Sequence, residues 1–105
     1  MIRINDYLIM EVEKQGRVKN VEVREDNVLM GYEPQCDLEL EEPNSFPKER
    51  LVATLCGKPA LHQFKKGDQV AVRLNHLGYR ENGELINHIR IEDIKLVKEL
   101  DNLYL

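Results

Sequence analysis

The chain has no tryptophan, and its 105 residues include only four tyrosines and two phenylalanines, so any aromatic surface must be built from six rings. Its two cysteines, Cys36 and Cys56, are too few for a disulfide framework and lack CxxC spacing, which makes a reducing cytoplasm the expected setting. No apolar run approaches the roughly 18–20 residues of a membrane span, and no membrane contact is expected. The opening residues lack the basic-then-apolar order of a signal peptide, because Asp6 and Glu11 interrupt it. There is no excess of positive charge. Lys and Arg number 15 against 19 Asp and Glu, a net charge of −4, which argues against a dedicated, strongly basic binder of nucleic acid or membrane surfaces. No GxSxG, phosphate-binding loop or dinucleotide fingerprint is present. His62, His76 and His88 fall on three different elements, and none has a second ligand at metal spacing. Asp37, Glu39 and Glu41 alternate along one bare strand with no flanking apolar pocket, poor ground for a divalent cation. No catalytic residue, metal or cofactor is expected.

What remains is an ordinary globular balance, 42% hydrophobic and 32% charged. The chain is long enough for one modest core. We read residues 1–105 as one domain. Charge is uneven along it: residues 1–45 carry net −6, residues 46–91 net +4 and residues 92–105 net −2, so the middle of the chain is mildly basic.

Gly, Pro and Asn-Gly punctuation recurs roughly every 10–15 residues, the rhythm of short strands. Between these breaks apolar residues alternate. Val18, Val21 and Val23 share one stretch; Cys36, Leu38 and Leu40 a second; Leu51, Ala53 and Leu55 a third; Val70, Val72 and Leu74 a fourth; Leu85, Ile89 and Ile91 a fifth. Period-two patterning puts one side of each strand on a core and the other in solvent. Pro59 to Phe64 breaks the pattern. Its early proline, Leu61 and Phe64 three apart, and Gly67 beyond predict a helix of one or two turns. Arg80-Glu-Asn-Gly83 predicts a hairpin turn. Residues 1–13 read as an additional N-terminal strand. Residues 92–104 fit either a short helix, from Ile94, Val97, Leu100 and Tyr104, or an extension of the fifth strand. Residues 98–105 form a C-terminal tail whose apolar Leu100, Leu103, Tyr104 and Leu105 suggest a homodimer contact.

Five strands with one short helix between the third and fourth is the order of the OB fold, an all-β Greek-key barrel, with its core here at residues 14–97. If Leu38 and Leu40 share the core with Leu51, Ala53 and Leu55, the second and third strands pair residues whose numbers sum to about 91. Cys36 then faces inward beside Leu55 while Cys56 faces outward, and the two cannot bridge.

Several segments, in order, resemble a group of small bacterial OB-fold proteins of unknown function that is itself similar to single-stranded-DNA-binding proteins. They are Gln15-Gly-Arg-Val-Lys-Asn-Val21, Leu38-Glu-Leu-Glu41, Phe46-Pro-Lys48, Leu55-Cys-Gly57, Phe64-Lys-Lys-Gly-Asp68 followed by Val70 and Val72, and Arg80-Glu-Asn-Gly83 with Asn87. The resemblance spans roughly residues 14–97. Cys56 stands where that group carries tryptophan. The resemblance implies an OB fold and contact with nucleic acid.

OB barrels use the outer side of strands two and three, walled by the 1–2 and 4–5 loops, to hold their ligands. A single strand needs cations for phosphates and rings for bases. The turn after the second strand offers Phe46, Lys48 and Arg50; the 4–5 loop offers Tyr79 and Arg80, with Arg73 and Arg90 on the adjoining strands; the 1–2 loop offers Arg24 and Tyr32. The expected contact set is Lys48, Arg50, Arg73, Tyr79, Arg80 and Arg90. Against it, Asp37, Glu39 and Glu41 should line the same face, either cross-paired with Arg50 and its neighbours or docking a basic partner. Two readings follow: a non-catalytic module contacting single-stranded DNA or RNA, and an interaction or assembly module that docks on itself or another protein without nucleic acid.

Overall fold

The computed structural model describes residues 3–4, 6–43 and 46–98. Among these residues seven strands run in order: β1 (Arg3–Ile4), β2 (Tyr7–Gln15), β3 (Lys19–Glu25), β4 (Val28–Glu41), β5 (Arg50–Cys56), β6 (Gln69–Glu81) and β7 (Glu84–Leu96), with a 3-10 helix over Lys58–Leu61 between β5 and β6. β2 pairs with both β4 and β6, β4 with β5, β5 with β7 and β7 with β6, so five strands close a ring. All these pairings are antiparallel except β5–β7. Numbered within the ring, the order is 1-2-3-5-4-1 with a parallel 3–5 contact and the helical turn between 3 and 4. The barrel is an OB fold.

The first strand corrects the sequence reading. The N-terminal strand expected as an addition to the barrel is its first member, and the Val18–Val23 stretch lies outside the ring. Both β2 and β3 pair with β4 in one continuous hairpin, from Glu11↔Glu41 through Gln15↔Leu38 and Lys19↔Gln35 to Glu25↔Val28. Asp26 and Asn27, both at positive φ, close it as a two-residue turn whose twist matches the strands. The physical reason is burial. Met10 and Val12 are 1% and 0% exposed in the core, whereas Val21 and Val23 are each 38% exposed on an arm beyond it. Between the halves the Gly16 amide donates to the Asp37 carbonyl at 2.7 Å, and a Cβ at Gly16 would lie only 3.2 Å from that oxygen. Glycine permits this close approach, and the strand bends there.

The core takes alternate residues from every ring strand: Met10 and Val12, Cys36, Leu38 and Leu40, Ala53 and Leu55, Val70 and Val72, and Ile91. The register is the one the alternation requires, with Cys36↔Leu55, Leu38↔Ala53 and Leu40↔Leu51. In β7 a bulge interrupts the ladder between Arg73↔Asp93 and Leu74↔Ile91. It lets Ile91 and Ile94, three residues apart, both reach the core side. A strand irregularity therefore produces the near-helical spacing there, and the strand runs on to Leu96. The part of the C-terminal reading beyond residue 98 lies outside the described residues. The helical segment is the short one expected, a 3-10 helix of four residues and a little over one turn. Gln15 ends it: its side-chain amide donates to the His62 carbonyl at 2.8 Å and accepts the Phe64 amide at 2.7 Å. These bonds satisfy backbone groups that a longer helix would have used. Phe64 packs against the barrel end, as a cap should.

Candidate nucleic-acid interface

The outer side of β4 and β5 presents Asp37 and Glu39 from one strand and Arg50, Val52, Thr54 and Cys56 from the other, with His88 and Arg90 of β7 alongside through the Thr54↔Arg90 pairing. By strand polarity, the β3–β4 hairpin leaves the barrel at the Cys56 end of this face, and the β6–β7 hairpin extends toward the Arg50 end. Asn82 and Gly83 close the latter at positive φ, as Asn-Gly predicts.

The acidic stripe is partly consumed within the protein. Arg50 Nε donates to Glu41 Oε1 at 2.7 Å, and Lys48 Nζ lies 3.5 Å from Glu41 Oε2. These two side chains roof the carboxylate, leaving it 4% exposed while they remain 51% (Lys48) and 69% (Arg50) exposed. The Arg50 hydrogen bond holds the Glu41 carboxyl below its usual range, against a desolvation that acts the other way. Further along, the Thr54 hydroxyl donates to Asp37 Oδ1 at 3.1 Å and lies 2.7 Å from His88 Nε2. Burial pushes the Cys56 thiol up, with Arg90 pulling it partly back.

The structure treats the six expected contact residues unequally. Lys48 and Arg50 stand together on Glu41. Arg90 lies beside Thr54. Thr54 is four residues along β5 from Arg50, which separates the two arginines by about 13 Å along the strand. Tyr79 and Arg80 sit on the β6–β7 hairpin opposite Ile86 and Leu85, with Tyr79 about half exposed. Arg73 stands apart. It lies on β6, which borders neither β4 nor β5, and its Nε is 3.4 Å from Glu92 while its guanidinium sits 5.6 Å from the Tyr7 ring centroid. Tyr7 also donates to Asp93 and has Lys95 Nζ 5.2 Å from its ring. Arg73 is thus bound into a separate outer patch with Tyr7, Ile9 and Ala71. From sequence, alternation showed that it points outward, but not from which side of the ring.

Phe46 is the main residue absent from the expected set. It is fully exposed on the turn between β4 and β5, two residues before Lys48. Its signal was present in Phe46-Pro-Lys48. Val52, 54% exposed at the centre of the face, is the other, beside a shallow groove of about 270 Å³ that Glu13, Glu39 and Arg50 help to line. A larger groove of about 600 Å³, lined by Gln15, Gly16, Val18, Leu61, Phe64 and Lys65, lies at the opposite end beside the 3-10 helix.

No family model and no curated protein matches the sequence. Among solved structures, the chain is similar to the crystal structure of the SSB domain of a protein from Synechococcus sp.. The identity is 16% and the TM-score 0.48, over 90% of this chain and 98% of that one. No helix among the described residues is long and apolar enough to cross a membrane.

Proposed function

We propose that this OB barrel is a non-catalytic module that contacts single-stranded nucleic acid along the outer side of β4 and β5. The observation that carries the reading is the fully exposed Phe46 ring, two and four residues before Lys48 and Arg50 on the turn that leads into that face. Ring and cation together are what an unpaired strand requires: a face for a base and charge for phosphates. In this reading Arg90 continues the cationic line, and Tyr79 and Arg80 close it from the β6–β7 hairpin. Arg73, engaged with Glu92 and Tyr7, takes no part.

A second reading, an assembly module with no nucleic-acid contact, draws support from Asp37 and Glu39 on the same face and from the engagement of Lys48 and Arg50 with Glu41. Like charge facing a phosphate backbone weakens binding. Arginine-to-alanine variants separate the two. If nucleic acid binds as proposed, Arg90→Ala and Arg80→Ala each weaken a labelled single-stranded DNA several-fold in fluorescence anisotropy, and Arg73→Ala leaves it unchanged. Equal losses for all three, or none for any, would remove the proposed path.

A further inference from the structure

We propose that β3 is a self-docking edge: a second copy of this chain pairs antiparallel along Lys19–Glu25, about a two-fold axis through Glu22. The inference does not depend on nucleic-acid contact, since it concerns the free rim of the β3–β4 hairpin and not the β4–β5 face.

Among the described residues β3 is the last strand of the sheet and pairs with β4 alone. All seven of its residues are exposed, so a row of backbone donors and acceptors faces outward along its free rim. The strand has no proline or glycine, and among the described residues no loop covers that rim. The hairpin it belongs to is two-stranded beyond the barrel, an arrangement of marginal stability by itself. It nevertheless carries exposed Val21, Val23, Val28, Leu29, Met30 and Tyr32.

The sequence of the strand specifies the occupant. A two-fold axis perpendicular to the sheet keeps each residue on its own face, so paired residue numbers must sum to an even number. A sum of 44 pairs all seven residues. Lys19 then meets the partner's Glu25 at both ends, and Val21 meets the partner's Val23 twice at the centre of the same face. On the other face Asn20 meets the partner's Arg24, and the two Glu22 side chains meet at the axis. Each Glu22 is already held by its own Arg24, Nε to Oε2 at 3.0 Å. Opposite charges and β-branched residues directly across a ladder are the favourable cross-strand pairs. The result is a four-stranded antiparallel sheet, β4-β3-β3-β4, across two chains.

Sedimentation equilibrium tests this on the whole chain. The expected mass is twice 12.3 kDa at high protein concentration. It should fall toward the monomer on dilution. Lys19→Glu places two like-charged pairs across the axis and should raise the dimer dissociation constant at least about tenfold. The double variant Lys19→Glu with Glu25→Lys restores opposite charges and should return it to within about threefold of the parent. Both positions are exposed, and circular dichroism verifies that each variant is folded. A parent that stays monomeric at every concentration overturns the proposal. So does a dimer indifferent to Lys19→Glu, or one that the charge swap fails to rescue.

Discussion

The backbone amide of Phe64 donates to the side-chain oxygen of Gln15 at 2.7 Å, across 49 residues of sequence. The same side chain donates to the His62 carbonyl at 2.8 Å and lies 3.4 Å from the Ala60 carbonyl. One glutamine at the bend of the first strand therefore fastens the segment that caps the barrel. Gln15→Ala leaves these groups without their partner. These groups are exposed or half-buried and can turn to water, so the expected cost is about 0.5–1.5 kcal/mol of stability. Hydrogen exchange at the Phe64 amide should accelerate more than exchange in β4 or β5, and unchanged protection at Phe64 would contradict this role.

Glu41 gives the fold an acid-sensitive contact. Its folded-state carboxyl titrates below the unfolded value because Arg50 and Lys48 favour the charged form. A depressed carboxyl contributes stability that is present above its unfolded value, near 4.5, and is lost as pH falls through the lower folded value. Glu41→Gln should therefore lower Tm at pH 7, and the gap to the parent should close as the pH drops below about 4. Thermal melts across that range read the effect. A gap that stays constant with pH would remove Glu41 as its source.

Leu38 is fully buried at the middle of β4, directly across from Ala53. Leu38→Ala should cost about 2–5 kcal/mol, since the small Ala53 opposite offers nothing to refill the cavity. Val21→Ala, on the exposed arm, should cost well under about 1 kcal/mol in the monomer. Denaturant midpoints at low concentration compare the two, and similar losses would mean that β3 belongs to the core after all.

Cys36 faces the barrel interior and Cys56 the outer side, both as free thiols. Mild oxidation should produce no bond between them, as intact mass verifies. Alkylation of Cys56 at pH 8 should be slower than for a free cysteine, because burial holds its thiol above the usual range. Recovery of an internal disulfide would contradict the strand register.

Much of the barrel was legible in the sequence, because alternation determines which face each strand buries. The Cys36↔Leu55 register follows from Leu38, Leu40, Leu51 and Ala53 alone. The N-terminal strand was legible from Leu8, Met10 and Val12, but its place in the ring was not, because that depends on its pairing with β4 and β6 far along the chain. Val18, Val21 and Val23 carry a cleaner strand pattern and lie on the outlying arm. At the site, the same register already sets Arg50 across from Glu41. That Lys48 joins them depends on the fold of the turn, and that Arg73 sits across the ring depends on strand order, which is non-local.

The most direct measurement is the anisotropy of a labelled mixed-sequence single-stranded DNA, titrated with the parent protein at several salt concentrations. With Lys48, Arg50, Arg80 and Arg90 as the contacting cations, two of them already shared with Glu41, the logarithm of affinity should fall with the logarithm of salt at a slope of about −1 to −3. Absence of binding even at low salt, or binding that strengthens as salt rises, would contradict the nucleic-acid reading and leave the acidic β4 face as a protein-docking surface.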